Sequence, residues 1–261
     1  SFTIHNEQQV EWVQQHIYPA QFDIFLKMNS GMNRLGFKPQ QYRKIWQHLQ
    51  RLNNVSNITH MTHFSDADGE RFGQAGVEYQ LAEFESTIQD LPGERSVSNS
   101  AAILRYSSQL HSDYVRGGIM LYGSSPDYPQ HSIQDWGLAP TMSLRSELIA
   151  IQQLNANESV GYGSSFVAAH AMTIGIVACG YADGYQRTSP TGTPVLVNGI
   201  RTRTIGRVSM DMLAVDLTGI ESAKVGSEVV LWGQSSTGVV LPIDDVAVSS
   251  GTVGYELMCA V

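Results

Sequence analysis

Short apolar runs alternate with segments of helical periodicity from the start of the chain to about Trp136. A strand is predicted at Phe22 to Met28, followed by a glycine-containing loop and a helix that begins at Pro39. The cycle repeats with a strand at Ile58 to Phe64 and a helix over Val77 to Ile88, whose apolar residues recur at three- and four-residue steps. Strands separated by helices predict βα units and a parallel sheet.

Three further segments continue this pattern. Ser1 to His5 reads as a strand that leads directly into a helix. Val97 to Asn99 leads into a helix at Ser100 to Leu104, and another strand is predicted at Tyr114 to Leu121. About five strands are therefore expected in this part of the chain.

After Pro140 the helical periodicity fades and β-rich segments follow one another. The pair Asn198-Gly199 between two extended runs predicts a hairpin with a type I′ turn. We expect a domain boundary near Gly137 to Pro140, with an α/β part at residues 1–137 and an all-β part at residues 138–261. The strands predicted in the second part are Leu144 to Ile151, Met172 to Cys179, Val195 to Ile205, Leu213 to Leu217 and Glu228 to Trp232.

Charge and composition exclude several classes of partner. The chain carries 16 Lys and Arg against 24 Asp and Glu, and its basic residues are scattered, so no nucleic-acid partner is expected. No apolar run is long enough to cross a bilayer and no signal peptide opens the chain, so no membrane partner is expected. Cys179 and Cys259 lie in apolar surroundings without a Cys-x-x-Cys spacing, and we expect two buried free thiols in a reducing cytoplasm.

Two short segments have the composition of a phosphate site. In Asn99-Ser100-Ala101-Ala102 a hydroxyl and backbone N–H groups open a helix, and in Arg116-Gly117-Gly118-Ile119 two glycines let backbone amides approach an anion. Their order matches the last two βα units of a barrel, where phosphate sites are common. On the residues alone, a simple helix cap at Ser100 and a simple turn at the glycines remain equally open.

Other polar groups follow predicted strands. Lys27 and Arg34 flank the loop at residues 28–33, and His63 ends a strand before Asp66 and Asp68. The reading of His63 as a hydrogen-bonded core residue stays open. No metal is expected, because the sequence has no HExxH, EF-hand or Cys/His spacing.

Tyr162 lies between Gly161 and Gly163, which free its backbone and expose its ring. Tyr181 follows Gly180 in a second loop of the β-rich part. A tyrosine serves as a general base only as its phenolate, a form that cationic neighbours favour. A packing or turn role for these tyrosines is the alternative.

Taken together, these motifs resemble the alanine racemase family, the fold-type III pyridoxal-phosphate enzymes. The likeness runs in order from near residue 1 to Tyr255-Glu256-Leu257. Seven motifs in register carry it, at residues 27–36, 62–64, 99–101, 116–123, 160–163, 180–184 and 209–211.

The resemblance implies an eight-stranded (β/α)8 TIM-type barrel, incomplete here, followed by a carboxy-terminal β domain. It implies a homodimer in which each active site uses the barrel of one subunit and the β domain of the other. Four residues match positions that hold the phosphate of pyridoxal 5'-phosphate, and Arg116 matches the donor to its pyridine nitrogen. The four are Ser100, Gly118, Ile119 and Tyr255.

The resemblance also implies a two-base interconversion of L-alanine and D-alanine, which supplies D-alanine for peptidoglycan in the cytoplasm. Tyr162 matches the catalytic acid/base, and His63 belongs with Arg116 to the network that tunes it. Arg34 and Met210 match contacts to the substrate carboxylate, and Lys27 matches a lysine that is carbamylated in some members. Residues that match the access corridor to the site are Tyr181, Arg207, Arg187 and Asp68.

Several positions depart from the family pattern. The cofactor lysine lies in a Lys-Ala-x-Ala-Tyr-Gly-His motif that is absent from this sequence, and about five of the eight barrel strands are expected. Both ends of the chain also read as internal to a domain, because Ser1 to His5 is a strand that leads straight into a helix and the apolar residues from Tyr255 to Val261 stop without a terminal cap. Asn29 stands where many members have Asp, and Ser96 where many have His. A racemase of broader or serine specificity and a catalytically inert fragment are the alternative interpretations.

Overall fold

A computed structural model describes residues 1–16, 21–70, 72 and 76–261. The chain divides into two compact units, Ser1–Gly118 and Ile119–Val261. The domain boundary near Gly137 to Pro140 stays a prediction, because compactness alone does not define a segment that folds independently.

The first unit is built on a parallel four-stranded sheet in the order β1-β2-β3-β4. Its buried core includes Ile4, Leu26, Tyr42 and Phe84, contributed by both strands and helices. In chain order the elements are β1 (Phe2–Ile4), α1 (Glu7–Gln15), β2 (Phe22–Lys27), α2 (Pro39–Leu49), β3 (Val55–Met61), α3 (Val77–Ile88), β4 (Arg95–Ser96) and α4 (Ser100–Arg105).

The predicted βα cycle is confirmed, with one shifted strand and one wrong one. The strand predicted at Ile58 to Phe64 occupies Val55–Met61, because polar residues at its start pair with Asp23 of the neighbouring strand. The strand predicted at Tyr114 to Leu121 does not form, and its last residues belong to a 3₁₀ turn at Ile119–Tyr122. The glycines at 117 and 118 interrupt it, since the Gly118 amide donates to the Ser100 hydroxyl and not to a strand.

The second unit contains a ring of six antiparallel strands in the order β12-β5-β8-β11-β10-β9, closed by pairing of β9 with β12. A short β13 (Val240–Leu241) pairs with the end of β12, and β6 (Ser159–Val160) with β7 (Phe166–Val167) forms a separate hairpin. The ring strands are β5 (Leu144–Leu154), β8 (Met172–Val177), β9 (Pro194–Val197), β10 (Ile200–Ile205), β11 (Leu213–Asp216) and β12 (Glu228–Gln234).

The predicted hairpin at Asn198-Gly199 is confirmed. Val197 pairs with Ile200, and both turn residues have positive φ, 50° for Asn198 and 78° for Gly199, as a type I′ turn requires. The β-rich part also contains two helices that the sequence reading missed, α5 (Ile243–Ser249) and α6 (Gly254–Cys259). Asp244 and Asp245 in the first turn of α5 are a helix-start signal that could have found it.

The two cysteines are free thiols but differ in burial. Cys179 is buried, as predicted, and burial raises its pKa to about 11. Cys259 is exposed at the end of α6, so the prediction of two buried thiols was wrong for this residue. In the described ranges, no helix is long and apolar enough to cross a membrane.

Candidate active site

A half-buried arginine, Arg116, contacts the ends of two strands of the first unit. Arg116 donates from Nη1 to the Ser96 carbonyl and hydroxyl oxygens, both at 2.7 Å. From Nη2 it donates to the Thr62 carbonyl at 2.8 Å and to Nδ1 of His63 at 3.3 Å. The Nε–H of Arg116 has no acceptor within the described part of the chain. The guanidinium is thus held in one orientation with a single donor left for a ligand.

Burial lowers the pKa of Arg116 to about 10, so the guanidinium keeps its proton at neutral pH. The groups it contacts are carbonyls, a hydroxyl and an imidazole, and no described carboxylate accepts a hydrogen bond from it. Ser96, one of the departures from the family pattern, therefore still provides an acceptor for Arg116.

His63 is neutral in this environment. Burial lowers its pKa to about 4, and the positive charges of Arg116, Lys27 and Arg34 act in the same direction. The neutral ring accepts the Arg116 hydrogen bond at Nδ1, and its Nε2 lies 3.5 Å from Nδ2 of Asn99. His63 thus contacts Arg116, with a lone pair turned toward the guanidinium, and its role in tuning the acid/base stays a prediction.

Lys27, the last residue of β2, is the third positive charge near His63, with Arg34 and Arg116. Burial lowers its pKa, and the charges of Arg34 and Arg116 lower it further. The nearby loop is held by Asn29, whose side-chain oxygen accepts from the amides of Gly31 and Asn33. Asn29 can therefore support this loop where many members of the family have Asp.

The start of α4 presents a second group of donors. Asn99 caps the helix by accepting from the Ala102 amide at 2.9 Å. Ser100 is only 3% exposed, and its oxygen accepts from the Gly118 amide at 2.8 Å. The hydroxyl proton of Ser100 has no acceptor in the described part of the chain. A buried donor without an acceptor is suited to an anion at this position.

In the second unit, Tyr162 stands at the tip of the β6–β7 hairpin. Gly161 and Gly163 have φ of 72° and 71°, which glycine adopts without strain, and the Tyr162 ring is 71% exposed. The tip faces a cavity of about 660 Å³ that also contains two arginines and a second tyrosine. The residues that line it include Tyr162, Tyr181, Arg187, Arg207 and Ser209.

This cavity has a positive lining. The Arg187 guanidinium carbon lies 6.0 Å from the centre of the Tyr181 ring, within cation–π range. Arg207 passes so close to the hairpin tip that a Cβ at Gly163 would lie 3.3 Å from its Nη1. The structure thus brings three predicted corridor residues together with Tyr162, whereas Asp68 lies in the first unit and has no ion pair among the described residues.

Met210 is placed by the turn that carries Tyr181. The amide of Tyr181 donates to the Ser209 carbonyl at 3.1 Å, and the amide of Ala182 donates to the Met210 carbonyl at 2.9 Å. A Cβ at Gly180 would lie 2.3 Å from the Met210 oxygen, so glycine is needed for this approach. The Met210 side chain is left 54% exposed.

Residues 1–126 match the sequence profile of the alanine racemase N-terminal domain, and residues 141–261 match that of the C-terminal domain. The chain belongs to the alanine racemase family. Amino-acid racemisation, an isomerase reaction, is therefore its class of activity.

Individual relatives agree with this assignment. The chain is 80% identical over all 261 residues to an alanine racemase of Acinetobacter baumannii (strain SDF) and covers 71% of that protein. It is 57% identical over 259 residues to an alanine racemase of Acidovorax sp. (strain JS42), of which it covers 70%. Among solved structures, the biosynthetic alanine racemase of Pseudomonas aeruginosa superposes with a TM-score of 0.91 at 43% identity, and the match covers 99% of this chain and 70% of that one.

Sequence reasoning on the racemase motifs missed the contribution of Asn99, which both caps α4 and approaches His63. The signal was present, since Asn before a helix start is a common cap. Its second contact could not be read from the sequence, because it joins residues from different βα units. The hydrogen bond from Arg116 to Ser96 could not be predicted for the same reason, because the two residues are 20 positions apart in the chain.

Proposed function

We propose that this racemase interconverts L-alanine and D-alanine with pyridoxal 5'-phosphate as its cofactor. The observation that carries the proposal is the half-buried Arg116, held by neutral acceptors beside a neutral His63, with its Nε–H left free. A protonated arginine can donate a hydrogen bond to a ring nitrogen but cannot pass its proton to it at neutral pH. This donor set fits a pyridine ring whose nitrogen stays unprotonated.

The phosphate-binding residues in this proposal are Ser100, Gly118, Ile119 and Tyr255, and Arg116 is the donor to the pyridine nitrogen. The free hydroxyl proton of buried Ser100 supports this assignment, because a phosphate oxygen would satisfy it. When bound, pyridoxal phosphate supplies an electron-withdrawing ring that stabilises negative charge at the α-carbon of an amino acid.

Tyr162 is the proposed acid/base, which takes or returns the α-proton at its phenolic oxygen. Its exposed position at a glycine-flanked tip supports this role, because the phenolic oxygen is free to approach a substrate. Arg34 and Met210 contact the substrate carboxylate. Lys27 would orient Arg34 in a carbamylated form, whose negative charge can accept hydrogen bonds from a guanidinium. Tyr181 lines the path by which the substrate arrives.

The active unit in this proposal is a cytoplasmic homodimer in which Tyr162 of one subunit serves the cofactor site of the other. Tyr162 and Met210 are more than half exposed, which supports a surface completed by a second copy of the chain. Its product, D-alanine, would be used for peptidoglycan.

The test is an assay of the full-length natural polypeptide with L-alanine and D-alanine, with and without added pyridoxal 5'-phosphate. We expect cofactor-dependent racemisation of alanine, with serine enantiomers as the matched comparison. Preference for serine would favour the broader or serine-specific alternative. Absence of turnover with either substrate, in a protein that is folded by circular dichroism, would contradict the proposal.

A further inference from the structure

A buried carboxylate in the second unit has no part in the chemistry described above. Asp244, in the first turn of α5, is 4% exposed and accepts a hydrogen bond of 2.5 Å from the Ser124 hydroxyl. It also accepts from the Ser125 amide at 3.0 Å. A carboxylate buried in this way is unfavourable unless specific donors compensate it. Asp244 therefore holds the segment at Ser124 and Ser125 in one arrangement.

The first residue of α6 lies against this pair. A Cβ at Gly254 would lie 2.7 Å from the Ser124 hydroxyl oxygen and 3.5 Å from Oδ1 of Asp244. The Gly254 backbone thus packs directly against the Ser124 and Asp244 side chains. Tyr255, the next residue in the chain, is 50% exposed, and its position follows that of the Gly254 backbone.

The same pair also lies at the end of the 3₁₀ turn that contains Ile119. The Ser124 amide donates to the Ile119 carbonyl at 3.4 Å, and the Gly123 amide donates to the Met120 carbonyl at 3.2 Å. A shift of Ser124 would therefore move the end of this turn as well as the start of α6. Ile119 and Tyr255 are both among the proposed phosphate-binding residues. Ile119 is hydrogen-bonded to Ser124, and Tyr255 follows Gly254, so both lie next to the buried Ser124–Asp244 hydrogen bond.

We propose that Asp244, Ser124 and Gly254 form a latch that positions Ile119 and Tyr255 for the cofactor phosphate. The three are positioning residues, since they act through the backbone of their neighbours. The inference rests on the proposed function, because it assumes that Ile119 and Tyr255 hold the phosphate. It predicts that breaking the latch weakens binding of the phosphate group selectively.

The test measures dissociation constants of pyridoxal 5'-phosphate and of pyridoxal for the full-length natural polypeptide freed of cofactor. For Asp244→Ala, we expect the preference for the phosphorylated form to fall about tenfold or more, with the pyridoxal constant changing less than about twofold. Ser124→Ala should act in the same direction, and Asp244→Asn, which keeps an acceptor oxygen, should have a smaller effect. Asp244→Asn and Ser124→Ala keep the test decisive if Asp244→Ala does not fold.

Asp245→Asn is the matched control. Asp245 lies in the same helical turn but accepts from Tyr128 and Arg201, outside the latch. Its substitution should leave the ratio of the two constants unchanged. An unchanged ratio in the latch variants, or an equal fall in Asp245→Asn, would overturn the inference. Failure of the proposed function looks different, because the unsubstituted protein itself would then show no preference for the phosphorylated form.

Discussion

At the scale of single residues, the neutral imidazole of His63 makes the stability of the protein depend on pH. Its pKa falls from 6.5 to about 4 on folding, so the unfolded chain takes up a proton first as the pH falls. Stability is therefore complete above about pH 6.5 and is lost as the pH falls through 4. After a discount for solvent screening of a partly exposed ring, the expected loss is about 1 to 2 kcal/mol.

The measurement is urea denaturation at pH 7 and pH 4.5. His63→Gln should lose less stability between these two pH values than the unsubstituted protein, because its side chain does not titrate. His170→Gln, which removes an exposed imidazole from the second unit, is the matched control and should behave like the unsubstituted protein. An identical pH response in His63→Gln would show that this ring is not buried in neutral form.

Tyr162→Phe removes one phenolic oxygen and leaves the glycine-flanked backbone unchanged. We expect racemisation to fall by about a hundred- to ten-thousand-fold, the usual contribution of a general acid or base. In the full-length natural polypeptide, exchange of the α-proton with deuterated solvent should persist for one enantiomer of alanine and collapse for the other. The reason is that the two-base mechanism implied by the family resemblance uses the cofactor lysine as the base on the opposite face. Equal loss for both enantiomers would assign Tyr162 a structural role. Tyr181→Phe is the control for loss of a phenol in the same cavity.

Around Arg116, the sequence indicated which residues belong together but did not indicate all of the hydrogen bonds between them. Arg116 and His63 were expected to act together, and a hydrogen bond joins them. The acceptor role of Ser96 and the second contact of Asn99 depend on side-chain directions at the ends of neighbouring strands. Such contacts between βα units carry no local sequence signal, because spacing along the chain does not determine which loops meet.

At the scale of elements, the turn of the β9–β10 hairpin depends on glycine at position 199. Gly199 has a φ of 78°, and a Cβ there would lie 2.7 Å from the Thr237 hydroxyl oxygen. Gly199→Ala should therefore combine backbone strain with a collision and lower the free energy of unfolding by about 2 kcal/mol. Gly219→Ala is the matched control, since its φ of 80° is similar but nothing lies within 4 Å. Chemical denaturation of both variants should show the larger loss at Gly199; equal losses would mean that Thr237 moves aside.

The same hairpin shows why some elements could be predicted and others could not. Asn-Gly between extended runs is a local signal, and the turn forms where it occurs. The strand expected at Tyr114 to Leu121 failed because an apolar run does not reveal where its amides find partners. Helices α5 and α6 were missed because they are short, and a helix of that length is stabilised mainly by tertiary packing, which the sequence does not show.

At the scale of the whole molecule, the proposed dimer makes two inactive proteins complementary. Arg116→Ala disables the proposed cofactor site and Tyr162→Phe disables the proposed acid/base, so each homodimer should be nearly inactive. A heterodimer purified through two different tags should have one intact site and recover about half of the unsubstituted rate. A heterodimer as inactive as its parents would place both residues in a site within one subunit.

The closed ring of the second unit has a consequence for how the chain reaches its native state. β5 and β12 are adjacent in the ring although Glu147 and its partner Glu228 are about 80 residues apart in the chain. Joining them closes a long loop, whose entropy opposes folding until the other strands are in place. In pulse-labelled hydrogen exchange during refolding, amides of the β9–β10 hairpin should therefore gain protection early. The amides that link β5 to β12 should be among the last, and closure of this seam should set the folding rate of the unit.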